Sequence, residues 1–421
     1  MTVRRSLLTL SIIALALTLG AWLPPLKAAA QSCVFVRGFA TLHDLIPDVV
    51  GECVSDERYD RQSGDSLQQT TRGLLVWRKL DNVTAFTNGA TTWVNGPYGV
   101  QSRPADGWFA WEVNAITHPG MLFAPTSPWN LPARGAADAD SWRMIDNLAE
   151  AMDGRGFAIN VREYAVPLFY ADTSTSWVRV RNSTDWWEGM DVPVPSSAWP
   201  DPGSDRHLAI WDLQTNRLFE FWCMRYSERE SAWSAGYGIT FDAAGAGYQN
   251  GDWENSARAY GGSLVAGAIR YHEMQRGEIP HALAMAYPFT RGDAFASGGE
   301  FGIASHNDRA LQPHRTTRDN IPLGARLRLK ESVNVAERCG NDRGCRVVGE
   351  ALQRYGAFAV DTGGAPVLYA ENLQGKRVTW DGLLGSDDAL AFRAHDYEVL
   401  ELPSLTAVPP PSGESGSPSP C

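Results

Sequence analysis

A chain of 421 residues with 44% hydrophobic and 20% charged residues is long enough to bury more than one core and too apolar to remain disordered. Its formal charge of −11 argues against a nucleic-acid partner, whose phosphates require a basic face.

The chain opens with Arg4-Arg5, an apolar run from Ser6 to Gly20, and Ala28-Ala29-Ala30 before Gln31, the order of parts of a secretory leader. Residues 1–30 are therefore predicted to be a signal peptide, with the mature amino terminus at or near Gln31. A lipid anchor on Cys33 is the competing reading, but Ala30-Gln31-Ser32 lacks the Leu and the small residues of a lipobox. The apolar run is short for a bilayer, and no later segment approaches the roughly 18 apolar residues that a spanning helix needs. The expected location is extracellular, in solution or at the cell surface, with no membrane span.

The six cysteines stand singly or in loose pairs without metal-finger spacing. Export permits disulfides. Cys339 and Cys345 bracket a short polar loop and are expected to be bridged, and Cys33 with Cys53 would staple the start of the first module. Cys223, in Phe221-Trp222-Cys223, reads as a buried free thiol.

Residues 31–115 form a small β-rich accessory module, with strands at Leu74–Arg78 and Thr91–Val94 and a turn at Asn88-Gly89. The main domain, 119–404, is rich in short strands broken by Gly, Pro, Asn and Asp. It is expected to be a β-sandwich or jelly roll with a few helices, so the fold class is mainly β. One helix is predicted over Ser141–Ala151, capped by Asp140, with Trp142, Ile145, Leu148 and Ala149 on one face. Another runs near Arg346–Tyr355 and ends at Gly356. Residues 405–421 have the Pro/Ser/Gly composition of a disordered tail.

Several blocks stand in order along the main domain: Ser127-Pro128-Trp129-Asn130, Ser204-Asp205-Arg206-His207-Leu208, Glu220-Phe221-Trp222, Gly277-Glu278-Ile279-Pro280-His281-Ala282-Leu283, Pro322-Leu323-Gly324-Ala325-Arg326-Leu327, and Ala351-Leu352-Gln353-Arg354-Tyr355-Gly356 followed by Asp361-Thr362-Gly363-Gly364. Together they resemble a family of exported bacterial β-rich proteins. The segments around Gly73–Lys79 and Trp93–Gly99 resemble a module found in bacterial envelope proteins. These resemblances imply a secreted β fold and no particular chemistry.

Of the 16 tryptophans, Trp177, Trp186, Trp187, Trp199, Trp211, Trp222, Trp233 and Trp253 fall in one stretch. An indole stacks on the apolar face of a sugar ring, while Asp, Glu, Asn and Arg bond its hydroxyls. Aromatic residues also favour strands, so a share of these belongs to the core.

The stretch from His207 to Trp222 reads as a hairpin with its turn at Leu213–Asn216, Asn216 left-handed, and Asp212 opposite Arg217. In that register Ala209 faces Glu220. His207, Trp211, Leu218, Glu220 and Trp222 then share one face, while Leu208, Ile210, Phe219 and Phe221 share the other and are core. The first face is the candidate cleft floor. Glu220 is the acid candidate, because a Trp-lined setting raises a carboxyl pKa; a structural pair with Arg225 or Arg258 is the alternative.

The candidate catalytic set is Glu220, His207, His281 and Asp361, with Asp205, Asp212 and Glu273 as further possible second carboxylates. Trp129, Asn130, Trp211, Trp222 and Trp233 are the candidate substrate-binding residues. No His-x-His or His-Glu-x-x-His pattern is present, and neither a metal nor another cofactor is expected. Ser305-His306-Asn307-Asp308 has triad letters but cannot adopt triad geometry as consecutive residues. The expected function is cleavage of a polysaccharide or cell-wall glycan by a secreted glycoside hydrolase or lyase. The alternative is a non-catalytic carbohydrate-binding or envelope protein.

Overall fold

The computed structural model describes residues 33–60, 65–78, 83–96, 99–105, 107, 109, 112, 120–249, 255–300, 302–307, 312–376, 378–402, 404–408 and 421. The leader expected over 1–30, the terminus at Gln31, Trp253, Asp308 and the Pro-rich stretch 409–420 lie outside the described residues. The chain is mainly β, with 32% strand and 15% helix.

The first module is a six-stranded antiparallel meander, β1 (Arg58–Tyr59), β2 (Ser66–Gln69), β3 (Leu74–Arg78), β4 (Val83–Thr87), β5 (Thr91–Gly96) and β6 (Gly99–Pro104), paired in chain order. Helix α1 (Arg37–Leu45) buries Phe39 and Leu42 against Leu75 and Phe86, and a short α2 (Pro47–Val50) adds Val50. The turn at Asn88-Gly89 joins β4 to β5, with the Asn88 Oδ1 accepting from the amides of Ala90 and Thr91. Cys33 is bonded to Cys53. Glu112 is fully buried between Arg103, at 2.7 and 3.0 Å, and Arg78, at 2.7 Å. Burial would raise this carboxyl, but the two guanidiniums and the Phe109 amide together hold it below the usual range.

The main domain is built in layers. β11 (Leu208–Asp212) and β12 (Arg217–Trp222) form the expected hairpin in the expected register, with Asp212 opposite Arg217 and Ala209 opposite Glu220. Asn216 is left-handed, at φ 54°. β15 (Tyr237–Asp242) flanks β12, and β8 (Leu168–Ala171) runs parallel to β11, completing a central four-stranded sheet. On one face of this sheet, Phe169, Leu208, Ile210, Phe219 and Phe221 pack on Val180, Val192 and Ala235. These come from a second four-stranded sheet, β9 (Trp177–Asn182), β10 (Met190–Pro193), β13 (Arg225–Ser227) and β14 (Ala232–Ala235), ordered β10-β9-β14-β13. The pair of sheets is a β-sandwich, and the period of two assigned its inner face correctly.

The other face of the central sheet is covered as well. Leu168, Tyr170, Ala209, Trp211 and Leu218 join a larger core with a six-stranded mixed sheet. Its strands are β7 (Ala158–Asn160), β16 (Leu283–Tyr287), β18 (Arg326–Leu329), β19 (Ala357–Thr362), β20 (Val367–Tyr369) and β21 (Tyr397–Val399), ordered β21-β18-β19-β16-β20-β7. Every residue of β16 is buried, as expected for a strand covered on both faces, which erases the alternation that marks a half-exposed strand. This third layer had no clear signature in the hydrophobic pattern.

Helix α3 (Ser141–Met152) turns its Met144, Ile145, Leu148 and Met152 stripe inward. Trp142, expected on that stripe, is 61% exposed, with the Arg143 guanidinium 4.9 Å from its ring centroid. Asp140 occupies the N-cap position without capping, because its carboxylate faces Arg318 and Arg143. Helix α6 (Arg343–Arg354) begins three residues before the expected start, since Asp342 caps it through the Cys345 amide at 3.0 Å. It ends at Gly356, whose φ of 70° favours glycine and where a Cβ would strike the Leu327 carbonyl.

Two cysteine expectations hold and one is corrected. Cys339 and Cys345 are bonded, between α5 (Val335–Cys339) and α6. Cys223 is not a free thiol but is bonded to Cys421. It lies just past the end of β12 with φ 60°, so its side chain is released from the strand's alternation, and a partner 198 residues away leaves no local spacing to read. The tail is corrected too: β22 (Ser404–Ala407) pairs with β17 (Ala294–Ser297) and so carries order into the segment expected to begin disorder at 405. Among the described residues no helix is long and apolar enough to cross a membrane.

Candidate functional sites

The face carrying Glu220 is not a cleft floor. Glu220 has no exposed surface; its Oε1 accepts from the Ser263 hydroxyl at 2.5 Å and its Oε2 from the Leu264 amide at 2.7 Å. Burial pushes the carboxyl up to about 7, against the lowering effect of those donors. The raised pKa expected from sequence is present, but the group holds the 263–265 loop instead of facing solvent.

The other members of that face are equally occupied. His207 is buried, with Nε2 at 2.8 Å from the Ala257 carbonyl, and burial together with the Arg258 charge lowers it to about 3. It is therefore neutral and donates to that carbonyl. Trp211 is core, its Nε1 donating to Asn216 Oδ1 at 3.0 Å. Trp222 stacks on the exposed Trp186, with ring centroids 6.1 Å apart and planes 9° apart. The physical reason for the correction is packing from distant segments: Ala257, Ser263 and Leu264 engage His207 and Glu220, while Trp211 and Leu218 join the core shared with the third sheet.

Asp361 does not join Glu220. It pairs with Arg258 at 3.0 Å, and the same guanidinium lies 4.0 Å from the Tyr369 ring centroid. Asp205 belongs to this cluster, its carboxyl raised by burial and by the charge of Asp361. Asp212 is buried in the hairpin turn, accepting from the Thr215 hydroxyl at 2.6 Å.

His281, Trp129 and Asn130 do come together, around a pocket of about 240 Å³. The pocket lies at the start of β16, where the Ala282 amide donates to the Trp129 carbonyl at 2.7 Å and the Ala284 amide to the Gly267 carbonyl at 2.9 Å. Gly267, at φ 71°, permits this approach: a Cβ there would collide with the Trp129 ring and the Ala284 nitrogen. The short helix α4 (Tyr271–Arg276) brings in Glu273, whose Oε2 accepts from the Arg270 amide at 2.9 Å. Glu273 lies 3.0 and 3.2 Å from His281 Nε2, and His281 Nδ1 lies 2.8 Å from the Ala282 carbonyl.

Both His281 nitrogens face acceptors, so the ring is held as the imidazolium. Burial opposes this charge, but Glu273 and the Ala282 carbonyl raise the His281 pKa. Burial would likewise raise Glu273, yet His281 and Arg270 outweigh it and hold the carboxyl at about 2. His272 is lowered to about 2 by burial and by Arg270, and is neutral. Asn130 Nδ2 is engaged by the carbonyls of Leu122 and Ala124, each at 2.9 Å, so it shapes the wall.

A second recess, of about 490 Å³, carries exposed aromatic residues. Trp199 is 50% and Tyr226 38% exposed, and they gather round Trp233, whose ring centroid is 6.0 Å from Trp199 and 4.9 Å from Tyr226. Arg206, Arg225, Gln374 and the tethered Cys421 share the lining. One wall is fixed by Asp201, buried, whose Oδ2 accepts from the Tyr164 and Gly203 amides at 2.8 Å each. Trp233, a predicted binding tryptophan, thus stands beside an open aromatic surface, as Trp222 stands beside the exposed Trp186. Trp199 and Tyr226 were missed as a pair, although Trp199 belongs to the tryptophan-rich stretch; Arg270, His272 and Arg276 were missed because basic residues near one another in sequence are ordinarily a solvated surface.

Compared with known families, curated proteins and solved structures, the chain matches none of them.

Proposed function

We propose that this is an exported, non-catalytic carbohydrate-binding protein that holds a polysaccharide or cell-wall glycan at the Trp199–Tyr226 recess. The observation that carries the reading is a half-exposed indole and phenol beside arginine and glutamine side chains. Aromatic faces take the apolar side of a sugar ring, and Arg206, Arg225 and Gln374 supply donors to its hydroxyls. Export is supported by the order of parts in residues 1–30 and by three disulfides, which persist in an oxidising compartment.

The test is affinity electrophoresis of the mature protein through a panel of neutral and acidic polysaccharides, repeated with Trp199→Ala and Tyr226→Ala. Retardation by one glycan that each substitution weakens at least about tenfold supports the reading, on the scale of losing one stacking contact. Equal mobility with every glycan overturns it.

A hydrolytic reading rests on a different observation. Asp205 and Asp361 are close enough to influence one another, and Asp205 is raised by burial and by its neighbour, as a general acid requires. Release of reducing ends from the panel, abolished by Asp205→Asn, would place the chain among glycan-cleaving enzymes instead.

A further inference from the structure

The pocket at the start of β16 is distinct from the aromatic recess and has a different chemical character. Its lining includes Arg270, Arg276 and the His281 imidazolium, against the single carboxylate of Glu273. The mixture is informative. The excess of positive charge calls for an anionic group, while Glu273 would repel a second negative charge and can accept from hydroxyls. A carboxylate has about four lone-pair directions, and three contacts are accounted for by His281 and the Arg270 amide. Met121, Leu122, Val265 and Pro280 supply an apolar wall for a carbon skeleton.

A second observation points to a ligand. Trp129, 1% exposed, lines the pocket, and its indole Nε1 is buried with no hydrogen-bond partner among the described residues. A buried donor left without an acceptor is unfavourable, so the pocket wall carries an unmet hydrogen-bonding group. The volume of about 240 Å³ lies just below the roughly 300–1,000 Å³ typical of sites for larger ligands and fits one small molecule.

We infer that this pocket binds a small hydroxy acid of the sugar-acid type, its carboxylate toward Arg276 and its hydroxyls toward Glu273. The same chemistry is presented by a free uronic acid and by the terminal residue of an acidic polysaccharide.

The test is titration calorimetry of the mature protein at pH 6 with D-glucuronate, D-galacturonate, glucose, acetate and inorganic phosphate. One of the two uronates is expected to bind at least about tenfold more tightly than glucose or acetate, each of which offers only part of the ligand's chemistry. Arg276→Gln, at an exposed position, is expected to weaken the uronate at least about tenfold while leaving the melting temperature unchanged. His281→Gln should weaken it as well, in material whose circular dichroism matches the parent.

Tighter binding of an oligouronide than of the monomer would identify a polymer end as the ligand; preference for the monomer would identify a free acid. Absence of heat with either uronate at about 10 mM overturns the proposal. So does glucose binding as tightly as the uronates, phosphate binding more tightly, or affinity unaltered by Arg276→Gln.

Discussion

Glu273 and His281 are eight residues apart in the chain and 3.0 Å apart in space, the carboxylate on a six-residue helix and the imidazole just before a buried strand. Their pairing places a buried ion pair at the pocket wall and makes the protein's stability sensitive to pH on both sides of neutrality. Glu273, held at about 2 in the fold against an ordinary 4.5, contributes stability that is present above 4.5 and lost as pH falls toward 2. His281, raised above its ordinary 6.5, contributes stability that is complete below 6.5 and lost as pH rises through its folded value. Urea unfolding from pH 2 to 9 should show both slopes, and Glu273→Gln should flatten both while costing about 3–5 kcal/mol at pH 6. A variant whose stability equals the parent's across that range would show that the pair is not formed.

Glu220→Gln is expected to act on stability alone. The amide has one acceptor oxygen where the carboxyl has two, so either the Ser263 hydroxyl or the Leu264 amide loses its partner, at about 1–3 kcal/mol. The folded carboxyl titrates near 7 against 4.5 when unfolded, so its favourable contribution is whole below 4.5 and declines as pH rises through 7. The gap between parent and variant should therefore be wider at pH 5 than at pH 8, measured by thermal denaturation. Glycan retardation should be unaltered, and a selective loss of binding or turnover without a shift in melting would return Glu220 to the functional site.

Arg258 is buried between Asp361 and the Tyr369 ring. Arg258→Ala leaves a carboxylate without its partner in a largely enclosed setting and should cost about 3–5 kcal/mol, whereas Arg258→Lys, which keeps the charge but loses the planar group over Tyr369, should recover part of it. Chemical denaturation of both variants distinguishes the two contributions, and equal stability of Ala and Lys variants would mean that the charge at this site does not matter.

The Cys223–Cys421 bond ties Cys421 to the residue just past β12, beside the aromatic recess. Non-reducing peptide mapping should recover the two cysteines in one linked peptide. Cys421→Ser should lower stability by about 2–4 kcal/mol, the usual range for a bond that closes a long loop. Recovery of Cys223 as an alkylatable thiol in the oxidised protein would contradict the pairing.

What was legible from sequence is what depends on near neighbours. A period of two fixes which residues of a hairpin share a face, and a turn that needs a left-handed residue fixes the register, so Asp212–Arg217 and Ala209–Glu220 could be read before any fold was known. Helix α6 and its Gly356 stop, the Cys339–Cys345 loop and the mainly-β class follow from the same short-range rules. Only the tertiary structure decided what lies against each face. The 263–265 loop covers Glu220, and nothing along β11 or β12 distinguishes a face that meets water from one that meets another layer, because both are apolar with an occasional polar residue. Tertiary packing likewise joined Cys223 to Cys421, gave Arg258 to Asp361, and brought Trp129 beside Glu273 and His281. Sequence periodicity records the direction in which a side chain leaves the backbone, whereas a site depends on what distant segments place in its path.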